Sequence, residues 1–315
     1  MTASPGSPDP NASKPRAPES LSGRTIDDRF HLAEEIGEGG MATVYRAHDA
    51  VSGVDVAVKV LHAALVADAT SMARLRQEAA LGAQLTHPNL CNIISIGERG
   101  DVVYVVMPLL TGEALCDRAY RAAQLDLAST ATFVRDISAG LHAAHDLGIV
   151  HRDLKPENVM IVANGDGTER AVLLDFGLAT ARLSSPGWQK LTRTGMVVGT
   201  PEFMSPEQMR GKALDQRSDI YSLAFMTYEL LTGQLPVEAQ TLREMAVARI
   251  KGDLIPIRTR RPDLAFPKAV ETVLAKALEP DPDDRYQTAP QFGEAFWRAA
   301  RSRADGGGLF GWLRR

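Results

Sequence analysis

The chain has 315 residues, 44% hydrophobic and 23% charged, a balance that excludes a wholly disordered polypeptide and allows one large core or two smaller ones. Thirty-five Lys and Arg against 39 Asp and Glu leave a net charge of −4, so no basic excess draws in nucleic acid. Cys91 and Cys116 are the only cysteines, too few for a disulfide framework and without metal-site spacing, which predicts a cytoplasmic setting; no apolar run reaches transmembrane length, and the opening MTASPGSPDP is not signal-like.

Residues 1–23 carry five Pro, five Ser and two Gly, with Met1 and Leu21 as the only large apolar side chains. Such a segment cannot offset its ordering entropy by burial and is expected to be a disordered tail. Strand-like runs follow: FHLAEEI at 30–36, ATVYRAHD at 42–49 and VDVAVKVL at 54–61, an antiparallel set separated by glycine turns. A helix is predicted over 71–85, then strands at CNIISIG (91–97) and VVYVVMPLL (102–110). Beyond Gly112 the pattern becomes helical. Phe133, Ile137 and Leu141 recur every fourth residue, with Gly148 placed to end that helix. DIYSLAFMTYELL at 219–231 is apolar nearly all round and belongs in the middle of a core. A small β-rich lobe at about 24–111 thus precedes a helical lobe at about 112–303, with a ligand cleft expected between them and a Gly-rich tail at 304–315.

In IGEGGMATVY (36–45), Gly37, Gly39 and Gly40 clear side chains from a turn, so that backbone N–H groups from Gly37 through Glu38 to Ala42 can approach phosphate. A plain hairpin would use the same glycines. Val44 suits an apolar cover over a base. Lys59 sits between apolar Val58 and Val60 and needs solvent or a charged partner, which Glu78 on the next helix could supply. HRDLKPEN at 151–158 gathers His151, Arg152, Asp153, Lys155 and Asn158, and LLDFG at 173–177 adds Asp175. Taken separately these are also a polar turn and a strand end. Taken together, Asn158 and Asp175 offer the few oxygen ligands that Mg²⁺ prefers, and Asp153 is left to accept a hydroxyl proton.

With these motifs in this order, the sequence resembles the eukaryotic-type protein kinase family over about residues 30–300. DLKPEN and GTPEFMSPEQ (199–208) give it the look of a bacterial serine/threonine kinase. The resemblance implies an α+β, bilobal protein kinase fold and transfer of the ATP γ-phosphate to protein Ser and Thr hydroxyls, with Mg²⁺, or Mn²⁺ in its stead, as the metal. Lys59 then matches the lysine on the α- and β-phosphates, with Glu78 as its ion-pair partner. Asp153 matches the catalytic base, Lys155 the lysine at the γ-phosphoryl group, and Asn158 and Asp175 the metal ligands. Ala57, Met107, Leu109 and Leu110 would border adenine, Met107 as gatekeeper. Thr200 would bridge to Asp153 and Lys155, Glu207 would pair with Arg285, and Asp219 would brace the catalytic loop. Four departures stand out: Ala42 for the third loop glycine, Pro108 in the hinge, Ser205 for the alanine of A-P-E, and Ala224 for the glycine of the core helix.

Thr192 and Thr194, between D-F-G and S-P-E, are expected phosphorylation sites whose added charge would face Arg152. Phosphorylation in trans calls for a transient homodimer. Leu309, Phe310, Trp312 and Leu313 beside Arg314 and Arg315 suit a weak membrane-surface contact by 309–315, or packing back on the helical lobe. The rivals are a pseudokinase scaffold, disfavoured by the complete set of Lys59, Asp153, Asn158 and Asp175, and a small-molecule phosphotransferase, disfavoured by the long 178–207 segment.

Overall fold

The computed structural model describes residues 20–39, 42–62, 76, 82–100, 102–175 and 201–302. Outside them lie residues 1–19, the whole 304–315 tail, Gly40, the greater part of the helix expected at 71–85 with Glu78, Phe176 and Gly177, and the threonines Thr192, Thr194 and Thr200.

The N-terminal lobe is a six-stranded antiparallel sheet of β1 (Thr25–Ile26), β2 (Phe30–Gly39), β3 (Ala42–Asp49), β4 (Val54–Leu61), β5 (Ser95–Arg99) and β6 (Val102–Pro108), in the order β1-β2-β3-β4-β6-β5. Alternation decides its two faces. Val56, Val58 and Val60 of β4 pack with Tyr45, Ala47, Tyr104 and Val106 into a core on one side, which turns Ala57 and Lys59 to the other. The strand expected at 91–97 begins later, at Ser95. Its leading residues are spent on the other lobe instead: Cys91 N donates to the Leu173 carbonyl at 2.8 Å, and Leu173 N to the Asn89 carbonyl at 2.9 Å.

The helical lobe is built on α1 (Leu115–Ala122), α2 (Leu127–His145), α3 (Pro206–Met209), α4 (Gln216–Thr232), α5 (Leu242–Lys251), α6 (Ile257–Arg260), α7 (Lys268–Ala277) and α8 (Ala289–Ala300). Asp126 starts α2 by accepting from the backbone N–H groups of Ala128 and Ser129. Phe133, Ile137, Leu141 and Ala144 form its buried face, each large side chain contributing roughly 1.5–3 kcal/mol. Gly148 does not end the helix directly. α2 stops at His145, and Gly148, at φ +72°, shapes the turn after it. The helix α4 is buried from Ser218 to Thr232 except at Glu229, as its nearly all-round apolar composition requires, and ends on Gly233 at φ +69°. Gly293 lets α8 lie close on α2, since a Cβ there would stand 2.6 Å from Ser138 Oγ. Strands β7 (Gly112–Ala114), β8 (Val159–Ala163) and β9 (Glu169–Leu173) make a small antiparallel sheet on the side of this lobe that meets the first.

Candidate active site

Strand register sets the roof of the cleft. Val44 lies opposite Lys59, Lys59 opposite Val105, and Ala57 opposite Met107. Directly paired residues share a face, so Val44, Ala57, Lys59 and Met107 look together toward the helical lobe. The end of β2 continues this surface, with Gly37 opposite Val44, Glu38 opposite Thr43 and Gly39 opposite Ala42. A Cβ added at Gly37 or Gly39 would meet nothing closer than Val44 Cβ at 3.9 Å or the Ala42 carbonyl at 3.8 Å. Packing among the described residues does not demand glycine at either place.

The back of the cleft is apolar. Met107 and Leu110 pack on Cys91, Val162 and Val172, while Pro108 and Leu109 complete the connection between the lobes. Burial, reinforced by the Asp175 charge, pushes the Cys91 thiol up to about 12, which leaves it a neutral packing group.

Lys59 crosses from the roof to the floor. Its Nζ lies 2.6 Å from Asp175 Oδ2, with the lysine side chain only 14% exposed. Asp175 itself stands two residues beyond β9 at φ +61°, a left-handed backbone that costs a non-glycine residue roughly 1–2 kcal/mol. Burial pushes its carboxyl upward, but the Lys59 charge and hydrogen bond, with His151 and Lys155, outweigh that and hold it below the ordinary range.

The floor is the loop from His151 to Asn158, and its shape comes from one buried carboxylate. Asp219, in the first turn of α4, accepts from His151 N at 2.8 Å through Oδ2 and from Arg152 N at 2.9 Å through Oδ1. His145 Nε2, from the last turn of α2, lies 2.7 Å from Asp219 Oδ2. Burial raises the Asp219 carboxyl, yet the hydrogen bond and charge of His145 prevail, with His151 adding to them, and keep it low and ionised. Within the loop, Lys155 Nζ stands 3.4 Å from Asp153 Oδ2. Asn158 Nδ2 donates to the Asp153 carbonyl at 2.7 Å and to its Oδ2 at 3.3 Å. The floor is tied to β9 by Leu174 N, which donates to the Asn158 carbonyl at 2.9 Å, and by His151 Nε2, 3.0 Å from the Leu174 carbonyl.

Asp153, Lys155, Asn158, Asp175 and Lys59 are thereby brought to one cleft between the lobes. Glu207 and Arg285 stand apart from it, joined to each other by two hydrogen bonds of 2.8 and 2.9 Å. The phosphorylation candidates Thr192 and Thr194, the bridging Thr200, Gly40 and Glu78 lie outside the described residues. Two contributors escaped the sequence reading. His145 carries a weak signal, a polar residue continuing an apolar helical face. Gln208, whose amide donates to the Arg152 carbonyl at 2.7 Å, carries none.

Among the described residues no group of three or more His, Cys, Asp or Glu could enclose a metal. The donors at the cleft, the Asn158 amide carbonyl and the Asp175 carboxylate, are hard oxygens and few. That set fits a small divalent cation that draws the rest of its shell from phosphate and water. No helix among the described residues is long and apolar enough to cross a membrane.

Residues 30–297 match the family described as protein kinase domain. Serine/threonine-protein kinase pkn3 of Myxococcus xanthus is 36% identical over 271 residues, covering 86% of this chain and 50% of that protein. Serine/threonine-protein kinase PknB of Mycolicibacterium smegmatis is 37% identical over 270 residues, covering 84% of this chain and 42% of its own length. This chain therefore spans half or less of the length of these two curated relatives. Among solved structures, the Mycobacterium tuberculosis PknI kinase domain superposes with a TM-score of 0.69 at 26% identity, covering 88% of this chain and 98% of that one.

Proposed function

This chain belongs to the protein kinase domain family, and we propose that it is a serine/threonine protein kinase, moving the γ-phosphoryl group of ATP to Ser and Thr hydroxyls of proteins, its own included. The observation that carries this reading is the grouping of Asp153 with Lys155 at 3.4 Å and Asn158 at 3.3 Å, on a floor faced by Lys59 from the opposite lobe. The relatives' names supply the serine/threonine class.

In this reading Asp153 orients the acceptor hydroxyl and takes its proton while the hydroxyl oxygen bonds to the γ-phosphorus and the bond to the bridging oxygen of ADP breaks. Lys155 offsets charge on the group in transfer. Lys59 and the bare backbone at Gly37 and Gly39 hold the remaining phosphates, the absence of a Cβ at those glycines favouring a close approach. Val44, Ala57, Met107, Leu109 and Leu110 enclose the adenine. Asn158 and Asp175 hold Mg²⁺, which supplies charge neutralisation to the phosphates when bound. Positioning and electrostatics suffice for this chemistry, since no covalent enzyme intermediate is needed.

The kinase domain extends over 24–303 in this reading, with the lobes dividing near 111–112. Trans-phosphorylation of Thr192 or Thr194 through a transient homodimer activates it, and the free thiols Cys91 and Cys116 support a cytoplasmic setting. The test is incubation of the purified chain with γ-labelled ATP, Mg²⁺ and a general protein acceptor, followed by phosphoamino-acid analysis. Phosphoserine and phosphothreonine are expected; absence of label, or label on tyrosine alone, overturns the reading.

A further inference from the structure

Arg152 immediately precedes Asp153 and sits at φ +65°. Such a backbone in a non-glycine residue costs of order 1–3 kcal/mol and persists only where its surroundings over-determine it. On the amide side the restraint is Asp219 Oδ1, which accepts from Arg152 N at 2.9 Å. On the carbonyl side it is Gln208, whose Nε2 donates to Arg152 O at 2.7 Å. That carbonyl belongs to the peptide unit that carries Asp153, so rotation at Arg152 would swing the aspartate.

The same Gln208 side chain works in a second direction. Its Oε1 accepts from Ser205 N at 2.9 Å, while Gln208 N donates to Ser205 Oγ at 3.3 Å, closing the capping box of α3. One amide group thus has its acceptor on the segment that follows Pro201–Phe203 and its donor on the loop that holds Asp153, 56 residues away in the chain.

We propose that Gln208 is a positioning residue for phosphoryl transfer. Its amide N–H locks the Arg152–Asp153 peptide, aims the Asp153 carboxylate, and makes that aim depend on correct placement of the 201–205 segment. The inference rests on the kinase reading above. A plain helix cap is the rival explanation, and the two separate cleanly, because Glu at this position is as good a capping-box partner as Gln but has no N–H for the Arg152 carbonyl.

The experiment compares the full chain with its Gln208→Glu and Gln208→Met variants by thermal unfolding and by steady-state transfer from ATP to a protein acceptor. For Gln208→Glu the midpoint stays within about 2 °C of the parent, and kcat falls about tenfold or more while KM for ATP moves less than about twofold. Gln208→Met, of similar length and uncharged, also loses the bond from Ser205 N, while its backbone N keeps the bond to Ser205 Oγ, and shows the same fall in kcat with a small loss of stability. Parent-like kcat in either variant overturns the proposal, as does a fall in kcat matched by an equal rise in KM for ATP. A parent chain that transfers no phosphate at all overturns instead the kinase reading beneath it.

Discussion

The Arg285 guanidinium grips the Glu207 carboxylate through two hydrogen bonds, of 2.8 and 2.9 Å, with the arginine side chain fully buried. Ser218 Oγ donates to the same carboxylate at 2.6 Å, and the remaining arginine N–H groups reach the carbonyls of Glu279, Pro280 and Arg217. The pair joins the start of α3 to the loop before α8, two places that neighbouring secondary structure does not connect. Burial pushes the Glu207 carboxyl upward, but the hydrogen bonds of Arg285 and Ser218 outweigh it and hold it below the usual carboxylate range.

Removing either partner leaves the other as an uncompensated buried charge. Glu207→Ala and Arg285→Ala are each expected to lose about 3–5 kcal/mol of stability. Arg285→Lys is expected to recover little, because an ammonium cannot reach both carboxylate oxygens and three carbonyls. Urea unfolding checks this, and a midpoint equal to the parent's would contradict it. Since the folded carboxyl is the stronger acid, its contribution is present above the unfolded value and is lost as pH falls below about 4.5 and through the folded value.

Lys59 and Asp175 connect the lobes by a single 2.6 Å contact. Lys59→Met takes away the cation proposed to hold the phosphates and leaves a partly enclosed carboxylate without its main neutralising charge. Transfer measured as kcat/KM is expected to fall by about a hundredfold to a thousandfold, with a stability loss of only about 1–2 kcal/mol. Labelled transfer alongside chemical unfolding separates the two effects. A variant that unfolds before it loses activity would assign the lysine to structure alone.

Glu229, in the last turn of α4, is pushed up to about 7, first by burial and then by the charges of Glu202 and Glu157. A folded-state value above the unfolded one means that the folded chain holds a proton which the unfolded chain releases. Stability on this account therefore declines as pH rises from about 4.5 to about 7 and stays lower beyond. Glu229→Gln removes the penalty. Its unfolding free energy is expected to exceed the parent's by about 1–3 kcal/mol at pH 8, and the gap to close by pH 5. A gap independent of pH would contradict the assignment.

Much of this was legible in the sequence, for identifiable reasons. β2, β3 and β4 follow from alternation and glycine turns, and α4 from an apolar run too long for a strand and ended by Gly233. The cleft residues were legible because their types are chemically odd for their surroundings: a lysine between valines, a cluster of charges where a core element would alternate. What sequence could not supply were pairings across the chain. His145 reaches Asp219 only because α2 and α4 are packed neighbours, and the two-residue β1 has too little pattern to register. The late start of β5 reflects backbone bonds from Asn89 and Cys91 to Leu173, a competition between lobes that no local pattern records. Gln208 was invisible for the same reason: its donor serves a carbonyl in another segment.

The proposed phosphoryl transfer depends on Asp153, the carboxylate held beside Lys155 and Asn158 on a floor that Asp219 shapes. The most direct measurement is transfer of γ-labelled phosphate to a protein acceptor by the purified chain and by its Asp153→Asn variant, matched for folding by circular dichroism and for ATP binding by titration. Loss of transfer by about a hundredfold or more, with nucleotide binding retained, is the expected result. Equal transfer by the two proteins would contradict it.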